Sequence, residues 1–181
     1  LIPKLRIGGE GAGGGPGEVD LAAGRFKGRP DATPQVLCEF KDIRTALDAK
    51  QRRKGDNRTP VEQCLAYVRG ARRNLFGNEP VQPWWGLVTN MNEFRLYWWD
   101  RAPQQYARFI IRRPNDLFQE PYDLLEQSDD AKFDRFLFQK LFSRDVLISE
   151  AGRPALLRLT EKQWVREEKL EDEFYERYKA V

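Results

Sequence analysis

Histidine is absent from the 181-residue chain. That removes imidazole-based zinc sites and any Ser-His or Cys-His nucleophile relay. Chemistry here has to run on carboxylates, lysine, hydroxyls and a hard metal. Long apolar runs are also missing: nothing approaches the roughly 18 to 20 consecutive apolar residues that a spanning helix needs. With 33% charged residues and a mean hydropathy of −0.71, the composition speaks against an integral membrane protein. Cysteine is scarce. Cys38 and Cys64 both sit inside apolar stretches and read as reduced core thiols, so the expected compartment is the cytoplasm. The chain opens at Leu1 without an initiator Met and without a basic-then-apolar leader, so the expectation is a non-secreted piece of a longer polypeptide.

What is present is enough apolar residue, 40% of the chain, for one ordinary core plus an appendage. The net charge of +3 is unevenly spread. Between residues 50 and 73, eight bases (Lys50, Arg52, Arg53, Lys54, Arg58, Arg69, Arg72 and Arg73) face two acids. Between residues 120 and 134, six acids face Lys132 alone. A basic face beside an acidic one fits a polyanionic partner on one side, and charge by itself fits a solvated surface as well.

The glycine-rich stretch 8–17 reads as a flexible loop, since it lacks the Gly-Lys-Ser/Thr ending of a phosphate cradle. Residues 18–26 and 35–41 read as a hairpin joined by the turn-rich KGRPDATP, and residues 42–58 as a short helix and loop. Thr59, Pro60 and Glu62 form a Thr-Pro-x-Glu capping box, and Val61, Cys64, Leu65 and Val68 follow at helical spacing, predicting a core-facing helix that stops near Asn74 or Gly77. Strands are expected at 85–89, 93–99 and 105–112, and helices around Phe133–Leu141 and from Thr160 onward. The element order predicts an α/β fold, with α+β still open, built on a central mixed sheet of about five strands flanked by helices. Residues 1–155 form the domain, with its core at 18–112. Residues 156–181 read as a helical connector, on which Leu170, Phe174 and Tyr178 share one face.

Three groups carry chemistry. Glu39 and Lys41 share one face of a strand while Cys38 and Phe40 point to the other. Four acid-x-Lys triplets occur, and this is the one that follows an apolar run (Val36, Leu37, Cys38), where two charges are expensive; the alternative is a strand end with a surface ion pair. Asp20 lies between Val19 and Leu21, pointing opposite to both, and a hairpin partner would bring it beside Glu39 as a second hard ligand. Gln63 and Tyr67 stand at i, i+4 on one helix face, beside the apolar stripe rather than within it; of ten glutamines only this one has tyrosine four positions later.

In their order, Asp20, Glu39-Phe40-Lys41 and Gln63-x-x-x-Tyr67, followed by Thr89-Asn90 and the aromatic strand Glu93-Phe94-Arg95-Leu96-Tyr97, resemble the PD-(D/E)XK nuclease superfamily. The likeness is to its Gln-x-x-x-Tyr branch, which includes the nuclease domains of type I, type ISP and type IIG restriction enzymes. It covers roughly residues 18 to 112. The literal Pro-Asp is Pro30-Asp31, in the turn, so Asp31 stands as the alternative motif acid, and the family's upstream helical Glu has no match here.

The resemblance implies a restriction-endonuclease-like fold and a Mg²⁺-dependent DNA endonuclease, with Mn²⁺ as substitute, belonging to a larger restriction-modification or phage-defence enzyme. It implies that Asp20, Glu39 and the Phe40 carbonyl hold the metal, that Lys41 assists the attacking water, and that Gln63 and Tyr67 orient the site. The basic run Arg52, Arg53, Lys54, Arg58, Arg69, Arg72 and Arg73 would track the phosphate backbone. Partners implied are DNA, methyltransferase or helicase-like domains of the same polypeptide, and a second copy pairing transiently for double-strand cleavage. The alternative is a nuclease-like fold that binds nucleic acid or protein and cuts nothing; an α/β domain whose acidic helical tail is an interaction surface is the third reading.

Overall fold

The computed structural model describes residues 1–10, 16–24, 34–51, 57–73, 83–111, 124–150, 152–161, 166, 169, 170 and 179. Six strands form one open sheet in chain order: β1 (Ile2–Glu10), β2 (Pro16–Ala23), β3 (Val36–Phe40), β4 (Trp85–Thr89), β5 (Glu93–Trp98) and β6 (Tyr106–Ile110). All neighbours run antiparallel except β3 and β4. A parallel pair needs a crossover, and α1 (Pro60–Arg73) supplies it. The fold is α/β with a mixed sheet, as the element order predicts.

The sheet has one strand more than the sequence pattern suggests, and that strand is β1. Glycine disfavours strands, so residues 8–17 read as a loop. Instead residues 8–10 close β1 and residues 16–17 open β2, with Ile7 opposite Gly17 and Glu10 opposite Pro16. Pairing with β2 imposes extension where propensity does not; residues 11–15 lie outside the described set.

Alternation along β3 divides the core into two layers. Val36 and Cys38 join Trp85, Leu96 and Trp98 on one face, covered by Leu147 of α3 (Arg144–Leu147) and by Leu156 and Leu157. The Trp85 indole N–H donates to the Leu147 carbonyl at 3.0 Å and locks that cover in place. Leu37 lies on the opposite face with Val68 and Tyr67, continued by Val61, Cys64, Leu65, Val88 and Tyr97. A Cβ on Gly86 would sit 3.0 Å from the Cys64 sulfur, so α1 lies directly on β4. Cys38 and Cys64 are buried and free, as expected of core thiols.

Ser128 caps α2 (Asp129–Leu141) by accepting from Ala131 N–H, and Asp129 and Asp130 sit in its first turn, where the helix dipole favours them. Phe138 and Phe142 pack edge-on against Phe94 and Phe109, while Phe133 and Phe136 stay exposed.

Two local expectations are corrected. Residues 42–51 form turns rather than a helix. The last helix starts at 155, not at Thr160: Arg158 N–H already bonds Pro154 carbonyl, and the Thr160 hydroxyl donates back to the Leu156 and Leu157 carbonyls instead of capping. Pro154 suits a helix start, and the burial of Leu156 and Leu157 fixes the helix against the sheet. Leu170 is exposed; Phe174 and Tyr178 lie outside the described residues.

Candidate active site

The capping box at the head of α1 is complete. Glu62 N–H donates to Thr59 Oγ1 at 3.1 Å, and Thr59 N–H donates to the Glu62 carboxylate at 2.7 Å. With the start of the helix fixed, the 3.6-residue period sets which way every later side chain points. Gln63 and Tyr67 are 5% and 7% exposed, so they lie within the buried face rather than beside it. The Gln63 amide N–H donates to the Tyr67 hydroxyl at 2.9 Å, and its carbonyl oxygen accepts from Lys41 Nζ at 3.3 Å. Gly17 on β2 makes room for the Tyr67 ring: a Cβ there would come within 2.8 Å of Cδ1 and closer still to Cε1.

Glu39 is 3% exposed, and Lys41, with a side chain only 6% exposed, is hydrogen-bonded to it. A buried charge pair of this kind costs desolvation that Coulomb attraction barely offsets, so stability alone does not explain it. Asp20 reaches the same place from β2. Register pairs Leu21 with Cys38, one step from Asp20 and Glu39, and Asp20 Oδ2 accepts the Phe40 N–H at 2.9 Å. Its other oxygen, Oδ1, accepts from Lys4 Nζ at 2.5 Å. Val19 packs in the Tyr67 cluster while Leu21 packs in the opposite one. The alternation therefore slips at Asp20, and its two neighbours do not share a face as simple pleating predicts.

The loop leaving Lys41 is held from the β4–β5 turn. Asn90 Nδ2 donates to Thr45 carbonyl at 2.9 Å and Asn92 Nδ2 to Ile43 carbonyl at 3.4 Å, while Asn90 Oδ1 accepts from the Asn92 and Glu93 N–H groups. Arg95, 5% exposed, forks onto Asp48 through two bonds of 2.7 and 2.8 Å and bonds Glu93 at 2.6 Å. Lys41 N–H bonds Thr89 carbonyl at 2.8 Å. At the end of this pinned loop Gln51 Nε2 donates to Gln63 Oε1 at 2.8 Å. Neither Gln51 nor Arg95 stands out by motif. Arg95 had one signal, a guanidinium inside an aromatic strand, where a buried charge needs partners; Gln51 had none.

The structure thus brings Asp20, Glu39, Phe40, Lys41, Gln63 and Tyr67 together. It leaves the basic run divided. Lys50 and Arg69 are exposed and Arg58 is half-buried, whereas Arg52, Arg53 and Lys54 and the side chains of Arg72 and Arg73 lie outside the described set, as does Asp31.

The chemistry of the donor set fits a hard cation. Asp20 and Glu39 come from adjacent strands and supply acceptor-only carboxylate oxygens, each bonded by an ammonium, Lys4 and Lys41. Among the described residues no group of three or more His, Cys, Asp and Glu converges. Carboxylate oxygens are the donors Mg²⁺ and Mn²⁺ take, one or two at a time, while keeping several waters. Compared with protein-family models, curated proteins and solved structures, the chain matches none. Among the described residues no helix is long and apolar enough to cross a membrane.

Proposed function

We propose that this chain is a Mg²⁺-dependent DNA endonuclease domain of a larger restriction-modification or phage-defence enzyme acting in the cytoplasm. One observation carries the reading. The side chains of Glu39, Lys41, Gln63 and Tyr67 form one continuous hydrogen-bonded chain, and Asp20 joins it through the backbone N–H of Phe40, between Glu39 and Lys41, which supports the arrangement the resemblance implies.

Asp20, Glu39 and the Phe40 carbonyl would hold the metal, which when bound supplies charge neutralisation at a phosphate and an acidified water. Phe40 N–H fixes the orientation of the Asp20 carboxylate. Lys41, held between Glu39 and Gln63, keeps an ammonium beside the place where negative charge grows during phosphodiester hydrolysis. Gln63 orients that ammonium, and Tyr67 orients Gln63. No imidazole is required, because a metal-bound water ionises without one. The basic run from Lys50 to Arg73 would hold the phosphate backbone, so DNA is the partner. A single site makes one nick, and double-strand cleavage would call for two copies.

The test is cleavage of supercoiled plasmid in Mg²⁺ or Mn²⁺ by the parent and by Asp20→Ala, Glu39→Gln and Lys41→Ala, each checked for folding by circular dichroism. Losing a metal ligand or the lysine should lower the rate by at least ~100-fold. Parental rates in Lys41→Ala would refute the assignment of the site.

A further inference from the structure

We propose that Lys4 is a built-in counter-ion of the metal site, occupying Asp20 until a divalent cation displaces it. The inference rests on the metal-dependent reading above and deepens it.

Among the described residues an ammonium bonds each of the two carboxylates, but the two pairs differ in kind. Lys41 is buried, sits two residues from Glu39 on the same strand, and is held on its other side by Gln63. Lys4 comes from the edge strand, its side chain is 63% exposed, and its Nζ bonds the Asp20 oxygen left over after Phe40 N–H has taken the other. Lys41 is therefore fixed and Lys4 is displaceable.

The backbone at Lys4 supports a specific role. Flanking pairs Pro3–Leu21 and Leu5–Val19 place Lys4 directly opposite Asp20, and its φ is 52°, the left-handed region that a lysine inside a strand adopts only at a cost.

Lys4 Nζ sits on Asp20 Oδ1, the oxygen that Phe40 N–H leaves open, so a divalent cation binding that oxygen has to displace it, since like charges at contact repel. Metal loading therefore includes breaking the Lys4–Asp20 pair, and the apparent Kd is the intrinsic one divided by the open fraction of the site.

The test is isothermal titration of the 181-residue chain with Mn²⁺ alone, for the parent, Lys4→Met and Lys4→Gln. Both variants keep most of the length of the side chain and lose its charge, and should bind Mn²⁺ about 3- to 10-fold more tightly, the factor set by the closed fraction. Added to Asp20→Asn, Lys4→Met should leave the Kd where Asp20→Asn put it. Equal or weaker binding by Lys4→Met and Lys4→Gln than by the parent overturns the counter-ion role and leaves the metal site standing. Absence of Mn²⁺ binding in every form overturns the metal reading, and this inference with it.

Discussion

Gln51 donates its amide N–H to the Gln63 side-chain oxygen at 2.8 Å, and so decides which way round the Gln63 amide lies. With that oxygen turned toward Gln51 and Lys41, the amide nitrogen faces the Tyr67 hydroxyl. Reversal would set N–H against the Lys41 ammonium, donor against donor.

If the chain is the nuclease proposed, Gln51→Leu should lower the cleavage rate constant by about tenfold with DNA affinity unchanged, equivalent to one hydrogen bond of about 1.4 kcal/mol expressed in the transition state. Gln51→Asn should recover part of it. Single-turnover cleavage alongside a binding titration in Ca²⁺ separates the two quantities. A pure affinity loss would show that Gln51 positions nothing in the site.

The buried Glu39–Lys41 pair predicts a non-additive stability pattern. Lys41→Met alone strands a buried carboxylate and should cost about 3 to 5 kcal/mol, whereas Glu39→Leu/Lys41→Met should return to the parental value or above it. Urea unfolding of the two single variants and the double variant measures this. A double variant less stable than the parent would mean that the pair contributes net stability over apolar replacements, contrary to this expectation.

The two thiols predict behaviour at high pH. Burial raises the Cys38 thiol from its ordinary 9.0 to about 12 and the Cys64 thiol well above 9.0. Burial likewise takes the Tyr97 hydroxyl from 10.0 to about 12. In the unfolded chain these groups release their protons first, so stability is intact below about pH 9 and falls as pH climbs toward 12. Urea midpoints between about pH 7 and 11 should show the fall. At about pH 8.5 iodoacetamide should label neither cysteine until denaturant is added, because the thiolate is the reactive form; rapid labelling of the folded chain would contradict the burial of both.

If the basic run tracks phosphates, reversing Arg52, Arg53 and Arg58 to Glu should flatten the dependence of log K on log salt by about 0.9 for each duplex phosphate no longer neutralised. Weakening should be similar for unrelated DNA sequences, since phosphate contacts carry no base information. An unchanged slope would make this run a solvated surface.

Much of the fold was legible because it rests on local signals. The Thr59–Glu62 capping box, the Val61–Val68 stripe and the strand at Trp85–Thr89 each follow from short-range chemistry, and each lies where the pattern puts it. The candidate carboxylates were legible because Glu39 breaks an apolar strand and Asp20 interrupts another. What stayed hidden is non-local. Strand β1 exists because β2 pairs with it, not because Gly8 and Gly9 favour extension. Lys4 meets Asp20 through that pairing, and Gln51 meets Gln63 because Asn90, in the β4–β5 turn, and Arg95, on β5, fix the loop. Pinning of this kind leaves no trace in residue spacing.

The parallel pairing of β3 with β4 has a consequence for the order of events during synthesis. Every candidate catalytic residue precedes position 68, whereas Thr89, Asn90 and Arg95, which hold the Lys41 loop in place, are made afterwards. Contacts between distant segments form last, because closing the intervening chain costs entropy before anything is gained. A nascent chain that has exposed all five of these side chains still lacks the strand that aligns them. Their assembly is deferred until β4 and β5 emerge, so an incomplete chain released early would carry the full set of residues and none of their alignment.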